Sequence, residues 1–295
     1  MTAIVLVSGT SEGVAADIDR ATSYDAGGTA SAGRIGGPVE AGQVAPPAPA
    51  GRRAVDAGSR STVARHGVPV PAGYYWRIWV YCPAGTKATG GGASTHGYPT
   101  GLHASKAIDG GNGWEITVSN NATIDVYAWV EAVCVSGLTY YSLHTATSSV
   151  AGGQINATAV LCPRGVMTGG GGWADTNNVS LRSNRPHSLT GWVLSLRNRD
   201  ADRRGFTVQV VCVEGVQNVQ HVESGWQPIV NGLDRIVFTD ACAPGQSRLG
   251  GGADAPAIVS SSPYDVFEGN TNWVVTGVVD GAPTGNVRAV LICGT

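Results

Sequence analysis

Six cysteines divide this chain into three near-equal parts. They stand at positions 82, 134, 162, 212, 242 and 293. The first of each pair recurs at intervals of 80 and 80, and the second at 78 and 81. The surroundings repeat as well: Cys82-Pro83-Ala84-Gly85 leads to Gly90-Gly91-Gly92, Cys162-Pro163-Arg164-Gly165 to Gly170-Gly171-Gly172, and Cys242-Ala243-Pro244-Gly245 to Gly250-Gly251-Gly252. Counted from the cysteine, glycine falls 3, 8, 9 and 10 residues on in every copy. A tryptophan follows at 114, 192 and 273, and the closing cysteine comes 20 residues after each. Self-similarity at a fixed period states a repeat architecture. It overrides the prior of about 150 residues per domain, which would divide 295 residues into two units.

Each copy reads as strands. An alternating run ends at the first cysteine, from Trp76 to Cys82, Ala157 to Cys162 and Arg235 to Cys242. A Pro/Gly turn follows, in which Pro presets φ and Gly accepts positive φ. The next element runs into the glycine triplet, where missing side chains mark close backbone approach or a bulge. Trp114 and Trp192 open a third strand, and the segments 125–135, 206–213 and 286–293, dense in Val with Tyr or Phe, form the last. Nothing shows a 3.6-residue apolar period with caps. Repetition favours bridges inside each copy, Cys82–Cys134, Cys162–Cys212 and Cys242–Cys293, each closing about 50 residues for roughly 4 kcal/mol in the chain-entropy model. Segments between copies, such as Tyr140 to Leu143, Val219 to Val222 and Trp226 to Val230, carry apolar side chains that need burial. The repeats therefore pack on one another. The expected fold is all-β: three tandem disulfide-stapled repeats of about 80 residues with pseudo-threefold symmetry, either β-prism-like or as three small β-sandwiches.

Cys-Pro-x-Gly, the glycine triplet, the Trp strand and a closing Val-Cys-Val, spanning roughly residues 76–295, together resemble modules of secreted bacterial proteins, mostly of unassigned function. A threefold β architecture with Cys-Pro-x-Gly turns is also similar to the vitelline-membrane-outer-layer β-prism family. Members of that family are linked to carbohydrate binding or transfer. Repeat length and glycine placement depart from the family pattern, so the resemblance transfers no site residues.

Residues 1–16, ending Val14-Ala15-Ala16, read as the remnant of a secretory signal peptide whose start lies upstream. The same residues also fit a disordered N-terminus without that role. Residues 17–62 are rich in Ala, Gly, Pro and Ser and cannot bury enough apolar surface to offset their ordering entropy. They read as a linker or propeptide with a weak cleavage point at Arg52-Arg53, or as an interaction tail. The β repeats then occupy 63–137, 138–215 and 216–295. Gly9-Thr10-Ser11-Glu12-Gly13 matches the nucleophile-elbow pattern, but no βα alternation follows to make it one. Paired cysteines favour an oxidising compartment, hence a secreted, extracellular protein.

A formal net charge of −2 offers no broad positive field for nucleic acid. The apolar run Ala3 to Val7 is far too short to span a bilayer, so no membrane span is expected. The six histidines do not recur in register and show no ligand spacing; with the cysteines bridged, neither a metal nor another cofactor is expected. Catalysis is not expected either. Sugars stack on Trp and Tyr while Asn, Asp and Arg read their hydroxyls. The in-register tryptophans read as core. The segment between the glycine triplet and that tryptophan varies among copies, and there lie the candidates: Tyr98 and His103; Trp173, Asp175, Asn178, Arg182 and Arg185; Tyr264, Asp265 and Asn270. As plain loop residues they would need no further role. The arginines at 182, 185, 197, 199, 203 and 204 make the second copy basic, which is either solvated surface or the mark of an anionic polymer. The sequence thus points to a secreted, non-catalytic, lectin-like module for glycan or cell-envelope polymer. The alternative is a structural or assembly protein that uses the repeats and the N-terminal tail to pack against protein partners.

Overall fold

The computed structural model describes residues 61–95, 99–230, 233–264, 271–279 and 284–295. The signal remnant, almost all of the linker and the candidates Tyr98, Asp265 and Asn270 lie outside the described residues. Within them the first repeat forms β1 (Ser61–Val70), β2 (Tyr75–Tyr81), β3 (Thr86–Thr95), β4 (Thr100–Ile108), β5 (Gly113–Asn120) and β6 (Val126–Ser136). The second forms β7 (Tyr140–Val150), β8 (Ile155–Leu161), β9 (Val166–Ala174), β10 (Val179–Pro186), β11 (Gly191–Asn198) and β12 (Arg204–Glu214). The third forms β13 (Gln220–Glu223), β14 (Gln227–Val230), β15 (Arg235–Phe238), β16 (Ser247–Asp254), β17 (Ala257–Tyr264), β18 (Asn272–Val278) and β19 (Thr284–Gly294). A 3-10 turn at Asp109–Gly111 is the only helical element among the described residues.

No repeat owns a sheet. The first sheet runs β1-β6-β3-β17-β18-β15, the second β2-β5-β4-β9-β12-β7 and the third β13-β19-β16-β10-β11-β8, with β14 also on β19. Each sheet joins three strands of one repeat to three of another, with β14 as a fourth from the third repeat in the third sheet, and the hand-over is cyclic. This is the prism-like packing; three separate sandwiches are excluded because every sheet crosses a repeat boundary. The junction ladders are short: Ser261 faces Ala93, Ser105 faces Gly172, and Ser183 and Asn184 face Asp254 and Ala253. The segments expected as variable loops after the glycine triplets are therefore strands, β4, β10 and β17, that form those junctions.

The sequence motifs account for this closure. Gly85, Gly165 and Gly245 hold φ of +82°, +76° and +81°, the left-handed turn that leads each first cysteine into its glycine strand. The three bridges join Cys82 to Cys134, Cys162 to Cys212 and Cys242 to Cys293, each with Cα atoms 5.6 Å apart. Register then shows which glycines correspond. Gly90, Gly169 and Gly250 each lie opposite the residue before the closing cysteine, namely Val133, Val211 and Ile292. In all three strands a bulge precedes that glycine. Counting from the cysteine had matched Gly170 with Gly90. The second copy is one residue shorter between turn and bulge, so its structural triplet is Gly169-Gly170-Gly171. At these glycines the repeats touch through bare backbone. A Cβ on Gly90 would lie 2.5 Å from Gly250 Cα, and one on Gly169 would overlap Thr89 O.

One residue further along, Gly91, Gly170 and Gly251 lie beneath Trp114, Trp192 and Trp273. Those indoles are 0% exposed. Each donates its Nε1 proton across the strand pair: to Ser105 Oγ at 2.9 Å, Asn184 Oδ1 at 2.8 Å and Ser261 Oγ at 2.9 Å. A polar atom buried this deeply needs such a partner. Sequence and structure part again at β15, which stops at Phe238 instead of reaching Cys242. There Thr239 turns inward to exchange hydrogen bonds with Trp273, and the Cys242 amide donates to Thr271 Oγ1 at 2.9 Å.

Candidate functional site

The third sheet carries the site, and two β-bulges build it. In β10 the register against β11 slips between Leu181 and Ser183, leaving Arg182 as the extra residue. The matching slips in β4 and β17 leave His103 and Val259. His103 is 8% exposed and fully used: Nδ1 lies 2.9 Å from Val179 O and Nε2 2.9 Å from Ser119 Oγ. Burial lowers its pKa to about 4, so it stays neutral. Val259 is buried as well. Arg182 alone of the three remains half-exposed, while its backbone carbonyl accepts the Ala255 amide at 2.8 Å and ties the bulge to the neighbouring repeat.

The second bulge interrupts the strand that in the other repeats is continuous. Glu223 pairs with Val290 and Gln227 with Val287, so three residues, Ser224-Gly225-Trp226, span the place of two. Gly225 adopts φ of +71°, which a side chain would resist. Bulges re-aim side chains, and this one leaves Trp226 53% exposed with its ring 4.5 Å from the Arg288 guanidinium.

From Trp226 a polar row crosses the strands: Arg288 faces Asp254, Asp254 faces Ser183 and Ser183 faces Ser195. At about 4.8 Å per strand it runs for roughly 19 Å. Asp254 is the hub. It accepts from Arg288 Nη2 at 2.7 Å and from Ser183 Oγ, and it pairs with Arg185. Arg288 also donates to Glu223 at 2.5 Å. Partial burial opposes the Arg288 charge, but the hydrogen bond and charge of Asp254, with Glu223, outweigh it and hold the proton more firmly than usual. Beside the row lies an open cleft of about 330 Å³, lined among others by Arg182, Ser183, Ser195, Trp226, Thr284 and Asn286. No protein-family model and no curated protein sequence matches this chain.

The remaining sequence candidates scatter. Trp173 lies on the second sheet under Lys106, whose Nζ is 4.4 Å from the ring. Asp175 accepts the Gly205 amide at 2.8 Å, and Asn178 donates to Asp200 at 2.6 Å; both secure a turn. Arg185 serves the Asp254 hub, and Tyr264 packs edge-on against Phe238 at 4.9 Å on the first sheet. Of the described candidates, only Arg182 lines the cleft. Trp226, Ser195, Thr284 and Asn286 were missed as site residues. The available signal was Ser224-Gly225-Trp226 itself, an inter-repeat Gly-Trp with no counterpart in the other copies. Among the described residues no three His, Cys, Asp or Glu side chains gather into a metal-binding group, and no helix is long and apolar enough to cross a membrane.

Proposed function

We propose that this chain is a secreted, non-catalytic binding module that recognises glycan or cell-envelope polymer through the third-sheet cleft. One observation carries the reading: a bulge holds Trp226 half-exposed at the edge of a cleft whose other polar walls are hydroxyl, amide, guanidinium and carboxylate groups. Saccharides need that combination, an aromatic face for the apolar side of the ring and directional groups for its hydroxyls. Three intrachain bridges fit an extracellular setting, as does the resemblance of the repeats to modules of secreted bacterial proteins. The test is titration calorimetry of the full chain against a panel of neutral and acidic oligosaccharides and wall polymers. At least one ligand binds, and Trp226→Ala weakens it by about tenfold or more, as truncating a central aromatic anchor does. Absence of binding across the panel at millimolar ligand refutes the reading.

A second reading rests on the sheet edges. Ile155 and Leu161 of β8 and Ile236 and Phe238 of β15 are exposed apolar residues on edge strands, which pair readily with other chains. Here the repeats would pack against a protein. A strict monomer by size-exclusion chromatography, with or without residues 1–60, counts against self-assembly of this kind.

A further inference from the structure

We infer that the cleft takes a saccharide carrying a carboxylate, a uronic-acid residue, with Arg182 reading the acid. This deepens the glycan reading above and rests on it. The inference follows from how charge is shared along the polar row. Asp254 is buried, accepts hydrogen bonds from Ser183 and Arg288 and forms an ion pair with Arg185, so its charge is already matched. Glu223 is engaged by Arg288. Two carboxylates thus serve two arginines, and Arg182 is left without an acidic partner among the described residues. It stands on the cleft wall at a bulge whose backbone is fixed by the Ala255 amide. Scaffold needs do not explain it, since the same bulge carries buried His103 and buried Val259 in the other repeats.

Around Arg182 the one other charged group on the wall is Asp254, whose charge is already matched by Arg185 and Arg288, and the remaining polar groups are neutral. The side chains of Ser195, Thr284 and Asn286 line the cleft and make no side-chain hydrogen bond with a described residue. One unspent positive charge calls for a monoanion, and the planar guanidinium fork matches a carboxylate through two parallel N–H···O bonds. Neutral hydroxyl readers beside it fit the rest of a sugar ring, and Trp226 supplies its apolar platform.

The test compares oligogalacturonate and oligoglucuronate with their methyl esters, which keep shape and lose charge, and with a sulfated galactan. Each is titrated into the full chain and into Arg182→Gln and Trp226→Ala, with thermal unfolding confirming that the variants fold. The acids bind about tenfold or more tighter than their esters, the scale of one charge-assisted bidentate contact. Arg182→Gln cuts that advantage to roughly twofold or less, and added salt erodes it in the parent protein. Trp226→Ala weakens acid and ester alike. Equal binding of acid and ester, or an Arg182→Gln variant that keeps the preference, overturns the inference while leaving the glycan reading in place. An Arg182-dependent preference for sulfate over carboxylate also overturns it. If no saccharide binds at all, the glycan reading falls and takes this one with it.

Discussion

Adding a single methyl group at Gly90 tests the cyclic closure of the repeats most directly. In the folded chain a Cβ there would sit 2.5 Å from Gly250 Cα and 3.2 Å from Leu249 O. Non-bonded carbons settle at about 3.5–4.0 Å, so β3 and β16 would have to part by roughly 1 Å where repeats one and three meet. Both obstacles are backbone and cannot rotate aside as a side chain does. Overpacking a tight core costs about 1–3 kcal/mol, and this site belongs at the upper end. For a body of this size each kcal/mol moves the midpoint by about 2–4 °C, so Gly90→Ala lowers Tm by about 6–12 °C. Gly85→Ala is the control: its φ is +82° but no atom lies within 4 Å of the added Cβ, so only backbone strain of about 1 kcal/mol applies. The assay is thermal unfolding by calorimetry and near-UV circular dichroism without reductant. Gly250→Ala probes the next junction in the same way, since a Cβ there would overlap Thr168 O of the second repeat. A Gly90→Ala midpoint no lower than that of Gly85→Ala would show that these strands do not meet as described.

Further outcomes follow from individual side chains. Replacing Cys162 and Cys212 together by Ala, which opens a bridge spanning 50 residues, costs about 4 kcal/mol in the chain-entropy model, and denaturant unfolding measures it. Trp192→Phe leaves Asn184 Oδ1 buried without its indole donor; the unpaired group costs about 1–3 kcal/mol, and Asn184→Ala added to Trp192→Phe costs less than the two separate losses summed. His103 makes stability pH-dependent. Its folded pKa of about 4 lies below the unfolded 6.5, so the unfolded chain binds the extra proton between those values; stability is full above about pH 6.5 and falls by about 3 kcal/mol as pH drops to about 4. His221, lowered by burial, adds in the same direction. Thermal midpoints from pH 7 to 4 show the slope, and His103→Gln flattens it.

How much of this was legible beforehand divides along physical lines. Features that every repeat must satisfy recur in the sequence and were readable: the bridges, the Pro/Gly turns and the buried tryptophans. The exchange of strands between repeats left no local mark, because an antiparallel strand reads the same whichever chain segment pairs with it. The slip in the second copy was hidden by a fourth consecutive glycine, Gly172, which occupies the place of Ala93 and Ala253 and made a wrong alignment look perfect. Site residues were hardest. Arg182 was nominated by chemistry alone, and nothing in the sequence showed that it shares its bulge with His103 and Val259. Trp226 was noted only as an apolar residue needing burial, since its exposure depends on the Gly225 bulge.

The corresponding columns of the three faces explain how such a site arises on a symmetric frame. Crossing the first sheet, Gly67, Trp129 and Ser94 lie side by side; on the second, Thr147, Thr207 and Trp173; on the third, the Trp226 bulge, Arg288 and Asp254. Each face carries one tryptophan with a cation over it, Arg65 at 4.7 Å from Trp129, Lys106 at 4.4 Å from Trp173 and Arg288 at 4.5 Å from Trp226. Yet the tryptophan stands in a different column each time, so the inner packing does not dictate it. Inward positions are fixed by the touching glycines and the buried indoles; outward positions on the same strands are free to differ. On the first two faces the ring is partly covered, with Gly67 making room beneath Trp129. On the third, a one-residue insertion lifts the ring beside a cleft whose wall carries Arg182 from the separate bulge in β10. A symmetric interior therefore places no limit on an asymmetric exterior, and the proposed binding should depend on a single face.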